Sequence, residues 1–202
     1  MPNPRFAVVV IAFFAAASAF GQSVSKDPAQ APAGAYVADL KHTEVLFSIV
    51  HLGLTEFHGR FDRSSGTLTF DNQQPERSTV SISIDTTALN TPNDTVSNDL
   101  KTIFRVLQYP AAVFKSTSIT KTGPDTGRME GLLTIRDVTK PVILDVRFNG
   151  GEKSPMGGGY ELGFHATGTI RRSDFGLDKM IWSRFVSDEV QLTIEAQFNQ
   201  KS

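Results

Sequence analysis

The chain has no cysteine in its 202 residues. That excludes disulfide scaffolds, thiolate metal sites, thiol nucleophiles and lipoproteins anchored through a modified N-terminal Cys. Neither charge is in surplus, since 20 Lys+Arg stand against 21 Asp+Glu with no basic block. The electrostatic footprint of a nucleic-acid binder is therefore missing. The longest uncharged apolar run, Phe6 to Phe20, falls short of the ~20 residues a membrane-crossing helix needs. Catalytic signatures are also lacking. There is no G-x-S-x-G elbow, and Gly157-Gly158-Gly159 is not followed by Lys-Ser/Thr. The histidines His42, His51, His58 and His165 show no H-x-H or H-E-x-x-H spacing, and ordinary strand or loop histidines are the favoured reading. No carboxylate pair stands out for acid–base work. We assign no catalytic residue, no metal site and no cofactor.

What is there suits a soluble globular domain: 40% of residues are hydrophobic and 20% charged. Residues 1–21 read as a signal peptide, with Arg5 as the positive region, an apolar stretch, and small Ala17, Ala19 and Gly21 before cleavage at Gln22. Export to the periplasm without a stable membrane anchor is the expectation. Residues 22–35, QSVSKDPAQAPAGA, read as a flexible leader, and residues 36–202 as one domain.

Within that domain, period-two alternation dominates. Val80, Ile82 and Ile84 share one face of Thr79–Asp85. Val142, Leu144, Val146 and Phe148 alternate with polar neighbours, as do Tyr160, Leu162, Phe164, Ala166 and Ile170. Val190, Leu192, Ile194, Ala196 and Phe198 do the same near the C-terminus. Shorter strands are expected at residues 45–51, 56–61, 66–70, 112–119 and 128–135. One segment differs: Leu100, Ile103, Phe104 and Leu107 fall at helical spacing, with Ser97 or Asn98 as cap and Tyr109-Pro110 as stop. Eight or nine antiparallel strands, apolar on one face, form either a two-sheet sandwich or one closed barrel, and periodicity leaves the interior filled or hollow.

Four stretches together resemble the YceI-like domain family of exported bacterial proteins. They are Phe47-Ser48-Ile49-Val50-His51-Leu52-Gly53 with Gly59-Arg60-Phe61, then Tyr109-Pro110 with Phe114-Lys115-Ser116. The third is Gly131-Leu132-Leu133-Thr134-Ile135-Arg136-Asp137-Val138-Thr139-Lys140-Pro141-Val142, and the fourth Arg172-Ser173-Asp174-Phe175-Gly176-Leu177. One departure stands out: the family's His-Leu-Arg/Lys-Ser at the helix start is Asp99-Leu100-Lys101-Thr102 here. The resemblance implies an all-β, antiparallel, eight-stranded lipocalin-like β-barrel with one short helix near residues 97–108. It further implies a periplasmic carrier, not an enzyme, that holds a polyisoprenoid such as an isoprenoid quinone, or another long-chain apolar lipid.

Such a tail requires a long, dry apolar tunnel with one polar mouth. Wall candidates are Phe47, Ile49, Val80, Ile82, Phe114, Leu133, Leu144, Val146, Phe164 and Leu192; each reads equally well as ordinary core. Ile103, Phe104 and Leu107 are candidate lid contacts. His51 is a candidate head-group contact, although a structural bond to a turn is the favoured reading. Phe175 and Trp182 either rim or plug an opening. Two rivals remain. An enzyme acting on a lipid or oxidant in the same barrel predicts titratable groups facing the cavity. A filled barrel serving as an envelope interaction module predicts apolar patches on outer strand faces. A homodimer stays open.

Overall fold

The computed structural model describes residues 24–155, 157–179 and 184–201; the expected signal peptide and Trp182 lie outside them. Each alternating segment forms a strand, and the alternation decides which side chains turn inward. In chain order the strands are β1 Gly34–Ala38, β2 Glu44–His51, β3 Thr55–Phe61, β4 Ser64–Phe70, β5 Thr79–Asp85 and β6 Leu89–Asn90. The helix α1, Asp94–Phe104, follows, and then β7 Ala111–Lys121, β8 Thr126–Ile135, β9 Val138–Lys153, β10 Tyr160–Arg171 and β11 Glu189–Gln200.

All pairings are antiparallel. The segments β1 and β2 run in one direction along β11, β3 and β4 run back along them, and β5 and β6 run back again. Six short strands thus make three long broken ones. With β7 to β11 they form an eight-stranded up-and-down meander. Tyr36 opposite Gln200 and Ala38 opposite Phe198 join first strand to last. That closure makes a barrel rather than a sandwich; among the described strands only the two-residue β6 is paired on one side alone.

The breaks are held by carboxylates. Asp39, between β1 and β2, accepts from the Lys41 N–H (2.7 Å) and Asn199 Nδ2 (3.0 Å) and lies 3.2 Å from His42 Nδ1. Asp85 serves two breaks: it accepts from Arg63 Nε (2.9 Å) at the β3–β4 corner and from the Thr87 N–H (2.9 Å) and hydroxyl (2.5 Å) beyond β5. For Asp39, burial acts upward and is the largest single effect, yet the bonds from Lys41, Asn199 and His42 together bring its pKa down to about 2. The Thr87 hydroxyl bond leads in lowering Asp85, against burial and with help from Arg63. Carboxyls depressed in the fold lend stability that is complete above the unfolded value of ~4 and vanishes as pH falls through their folded values. Urea unfolding midpoints should therefore drop between pH ~4 and ~2. Asp85→Asn should remove part of that dependence; an unchanged pH slope would show that Asp85 is not one of its sources.

At three places the chain departs from expectation. Residues 24–33, expected as part of a flexible leader, strap one end of the barrel. Ser25 pairs with Gly151, the Lys26 ammonium donates to the Asn149 carbonyl, and a 3₁₀ turn at Pro28–Gln30 leads to a fully buried Ala31. Tyr36 pins this strap from inside, its hydroxyl donating to Pro32 O at 2.6 Å; burial, and secondarily Tyr160, raise its pKa to about 12.

Helix α1 starts and stops earlier than residues 97–108. Asn93 is the cap, its Oδ1 accepting from the Thr95 and Val96 N–H groups, while Ser97 turns inward to Thr91. Arg105 takes a left-handed conformation (φ 52°) and ends the helix. Leu107 therefore leaves the apolar stripe and stands fully exposed. Finally, β7 and β9 shift register at Ser116/Ser118 and opposite Gly163/Phe164, which resets the inward parity along these strands.

Candidate functional site

The interior is hollow. A cavity of about 290 Å³ runs along the barrel, and its wall is almost wholly apolar. Its shape follows from the sizes of the inward residues. Near α1, Phe47 and Phe61 meet at 5.8 Å between ring centroids, and Phe61 meets Phe104 at 5.8 Å. Toward the strap end, Phe70, Phe148, Phe164 and Phe198 form a second aromatic cluster at 5.4–6.5 Å. Other inward positions are small, with Ala112, Ala166 and Ala196 on the wall. Small residues on neighbouring strands leave volume that the larger ones do not fill.

The candidates from β2 (Phe47, Ile49), β5 (Val80, Ile82) and β7 (Phe114) all face this cavity. So do those from β8 (Leu133), β9 (Leu144, Val146), β10 (Phe164) and β11 (Leu192). Ile103 and Phe104 reach it from α1. Three candidates do not. His51 shares the inward parity of Val45, Phe47 and Ile49, yet it stands exposed at the end of β2, bridged to Val186, where the strand has run past the cavity wall. Leu107 lies beyond the helix stop. Phe175 is buried, but it packs in the core with Ile103, Ile135 and Leu177 and forms no part of the cavity wall.

Other wall residues were not singled out from sequence. Phe148, Ala166, Ala196 and Phe198 share the alternation of Leu144, Phe164 and Leu192, so the same signal reaches them. Arg172 had no such signal. It is part of the wall, and its Nε donates to Ser187 O (2.8 Å) and its Nη2 to Val186 O (3.1 Å). Asp188 fixes the same corner, accepting from the Ser173 hydroxyl (2.6 Å) and N–H (2.9 Å); the hydroxyl bond is the leading cause of its lowered pKa.

Arg136 stands in the third family-like stretch, but its role was not assigned from sequence. Its guanidinium donates to Ile103 O (3.3 Å), Phe175 O (2.7 Å) and Gly176 O (3.2 Å), tying α1 to the 3₁₀ turn Arg172–Phe175. Polar groups gather at the other end, where Lys121, Asp125 and Thr126 join Pro28, Pro75 and Pro124 around the cavity. Among the described residues, the groups with displaced pKa values, Tyr36, Asp39, Asp85 and Asp188, all lie off the cavity wall. No described helix is long and apolar enough to cross a membrane.

Known proteins resemble this chain in sequence or in fold. A UPF0312 protein of Pseudomonas syringae pv. syringae is 39% identical over 152 residues, covering 73% of this chain and 79% of that one. The Campylobacter jejuni YceI protein superposes with a TM-score of 0.67 at 31% identity, over 76% of this chain and 90% of that chain. A polyisoprenoid binding domain from Saccharophagus degradans, implicated in plant cell wall breakdown, shares the fold alone: its TM-score is 0.63 at 15% identity, over 82% of this chain and 98% of that chain. Residues 36–198 match the YceI-like domain across the whole meander, and the chain belongs to that family.

Proposed function

We propose that the protein is exported by a cleaved signal peptide and acts in the periplasm as a carrier that holds one long isoprenoid-type lipid inside the barrel. The observation that carries this reading is the cavity itself: about 290 Å³, continuous along the barrel and walled by aliphatic and aromatic side chains. An apolar tail gains roughly 0.8 kcal/mol per methylene on leaving water, so length supplies affinity without a network of hydrogen bonds. The polar residues around Lys121 and Asp125 suit the one end of such a molecule that needs water. The polyisoprenoid binding described for the Saccharophagus degradans domain, which has the same fold, supports the same class of ligand. A holding role also fits a wall whose perturbed carboxylates lie elsewhere, in strand breaks and caps.

Native protein isolated from its periplasmic fraction should release a prenyl lipid on organic extraction, identified by mass spectrometry. Ala166 lies on the wall at a small inward position, so Ala166→Trp should fill the space while leaving the outer face unaltered. We expect it to weaken binding of a geranylgeraniol probe at least tenfold, with the circular dichroism of the barrel retained. Extracts free of prenyl lipid, together with equal probe binding by Ala166→Trp, would end this reading.

A further inference from the structure

At the helix end of the barrel the β2–β3 turn carries an apolar knob. Val50, Leu52, Leu54 and Phe185 are 39%, 55%, 79% and 42% exposed. They are brought together by backbone bonds: the Leu52 N–H donates to Phe185 O (2.8 Å), the Ser187 N–H to Val50 O (2.8 Å), and His51 bridges Val186. The turn itself is closed by the Leu54 N–H donating to His51 O at 2.9 Å, and both its central residues have positive φ, 55° at Leu52 and 71° at Gly53. That conformation suits Asn-Gly; a bulky leucine there is strained. The sequence therefore accepts backbone strain and solvent exposure together at Leu52, which neither folding nor solubility calls for.

We propose that this knob docks on the surface of a lipid bilayer. The same two segments that carry it also form the cavity wall, through Ile49 and Val186, so docking would set one end of the cavity against the membrane. This rests on the reading of an apolar cargo, whose reservoir is a bilayer because water does not dissolve it. Shape and size favour a membrane over a second copy of the chain. The knob is a projecting turn, and even if each side chain were as large as a phenylalanine it would offer only ~400 Å². A stable protein interface needs ~800 Å² per partner. Arg184 lies over the Phe185 ring, 4.9 Å from its centroid, which pairs a cation with an apolar surface as the headgroup region does.

The test is flotation of the full mature chain with vesicles of phosphatidylethanolamine and phosphatidylglycerol that contain no prenyl lipid. The native protein should float with the vesicles. Leu52→Asn, whose side chain is at ease in the left-handed turn, and Leu54→Ser should each reduce the floated fraction at least tenfold while retaining the native melting temperature and geranylgeraniol binding. A native protein that stays with the buffer, or variants that float as well as it does, overturns the proposal. So does a native dimer by light scattering that both variants dissociate, since the knob would then serve a second copy. Probe binding without flotation removes the docking and spares the cargo; flotation without probe binding does the reverse.

Discussion

Gly131→Ala should lower the stability of the barrel by about 3 kcal/mol, near the upper end for an overpacked core. Gly131 is buried on β8 beneath the Phe114 ring of β7. A Cβ added there meets that ring and also approaches the Lys115 carbonyl oxygen to 2.7 Å. The ring could swing aside, but the carbonyl belongs to the β7–β8 ladder and cannot move without breaking register. Phe114 is itself a wall residue, so a swung ring would also change the cavity. Chemical denaturation of the variant checks the first part and geranylgeraniol binding the second. A loss below ~1 kcal/mol would mean that the ladder bends there more readily than its geometry suggests.

Arg136→Ala should cost a similar amount, about 2–4 kcal/mol, by a different route. Three carbonyls would lose a charged donor, and hydrogen bonds to charged groups contribute ~1.5–3 kcal/mol each when lost singly, less when lost as a set. One of those carbonyls, Ile103 O, belongs to the last turn of α1, where a cation also opposes the negative end of the helix dipole. The expected signature is local: amides of α1 should exchange with solvent faster than those of β8 to β10. Arg136→Lys should fail to restore protection, because one ammonium cannot span carbonyls at residues 103, 175 and 176. Equal exchange in α1 and in the strands would show that the helix depends on its apolar face alone.

These two residues mark the division between what sequence discloses here and what it withholds. Alternation exposes the long strands, since a half-buried strand must repeat every second residue; Thr79–Asp85 is found with the limits expected for it. Wall residues such as Leu144 and Leu192 follow from the same period. Helical spacing located α1 but ran on to Leu107, because spacing cannot register that Arg105 turns left-handed. The five-residue β1 and the two-residue β6 are too short for a period to emerge, and they are recognised only by the partners that pair with them. The strap at residues 24–33 has the composition of a linker, yet it is held by the β9 carbonyls and the buried Tyr36, contacts that lie distant in sequence. Arg136 and Arg172 stand in the family-like stretches, but their roles stay hidden in sequence because they act through backbone carbonyls, which have no side-chain signature.

The meander also imposes an order of events. Counted as eight long strands, each pairs with the one before it, so most of the sheet can form as the chain lengthens, with β5 and β7 joined across α1. The long-range closure is made by β11, which alone joins β10 to β1 and β2, across more than 150 residues of chain in the case of Tyr36 and Gln200. Closing so long a loop is slow, and until it closes two strand edges stand open. A nascent chain therefore stays incomplete, and open to capture by a chaperone, until its last strand has been made.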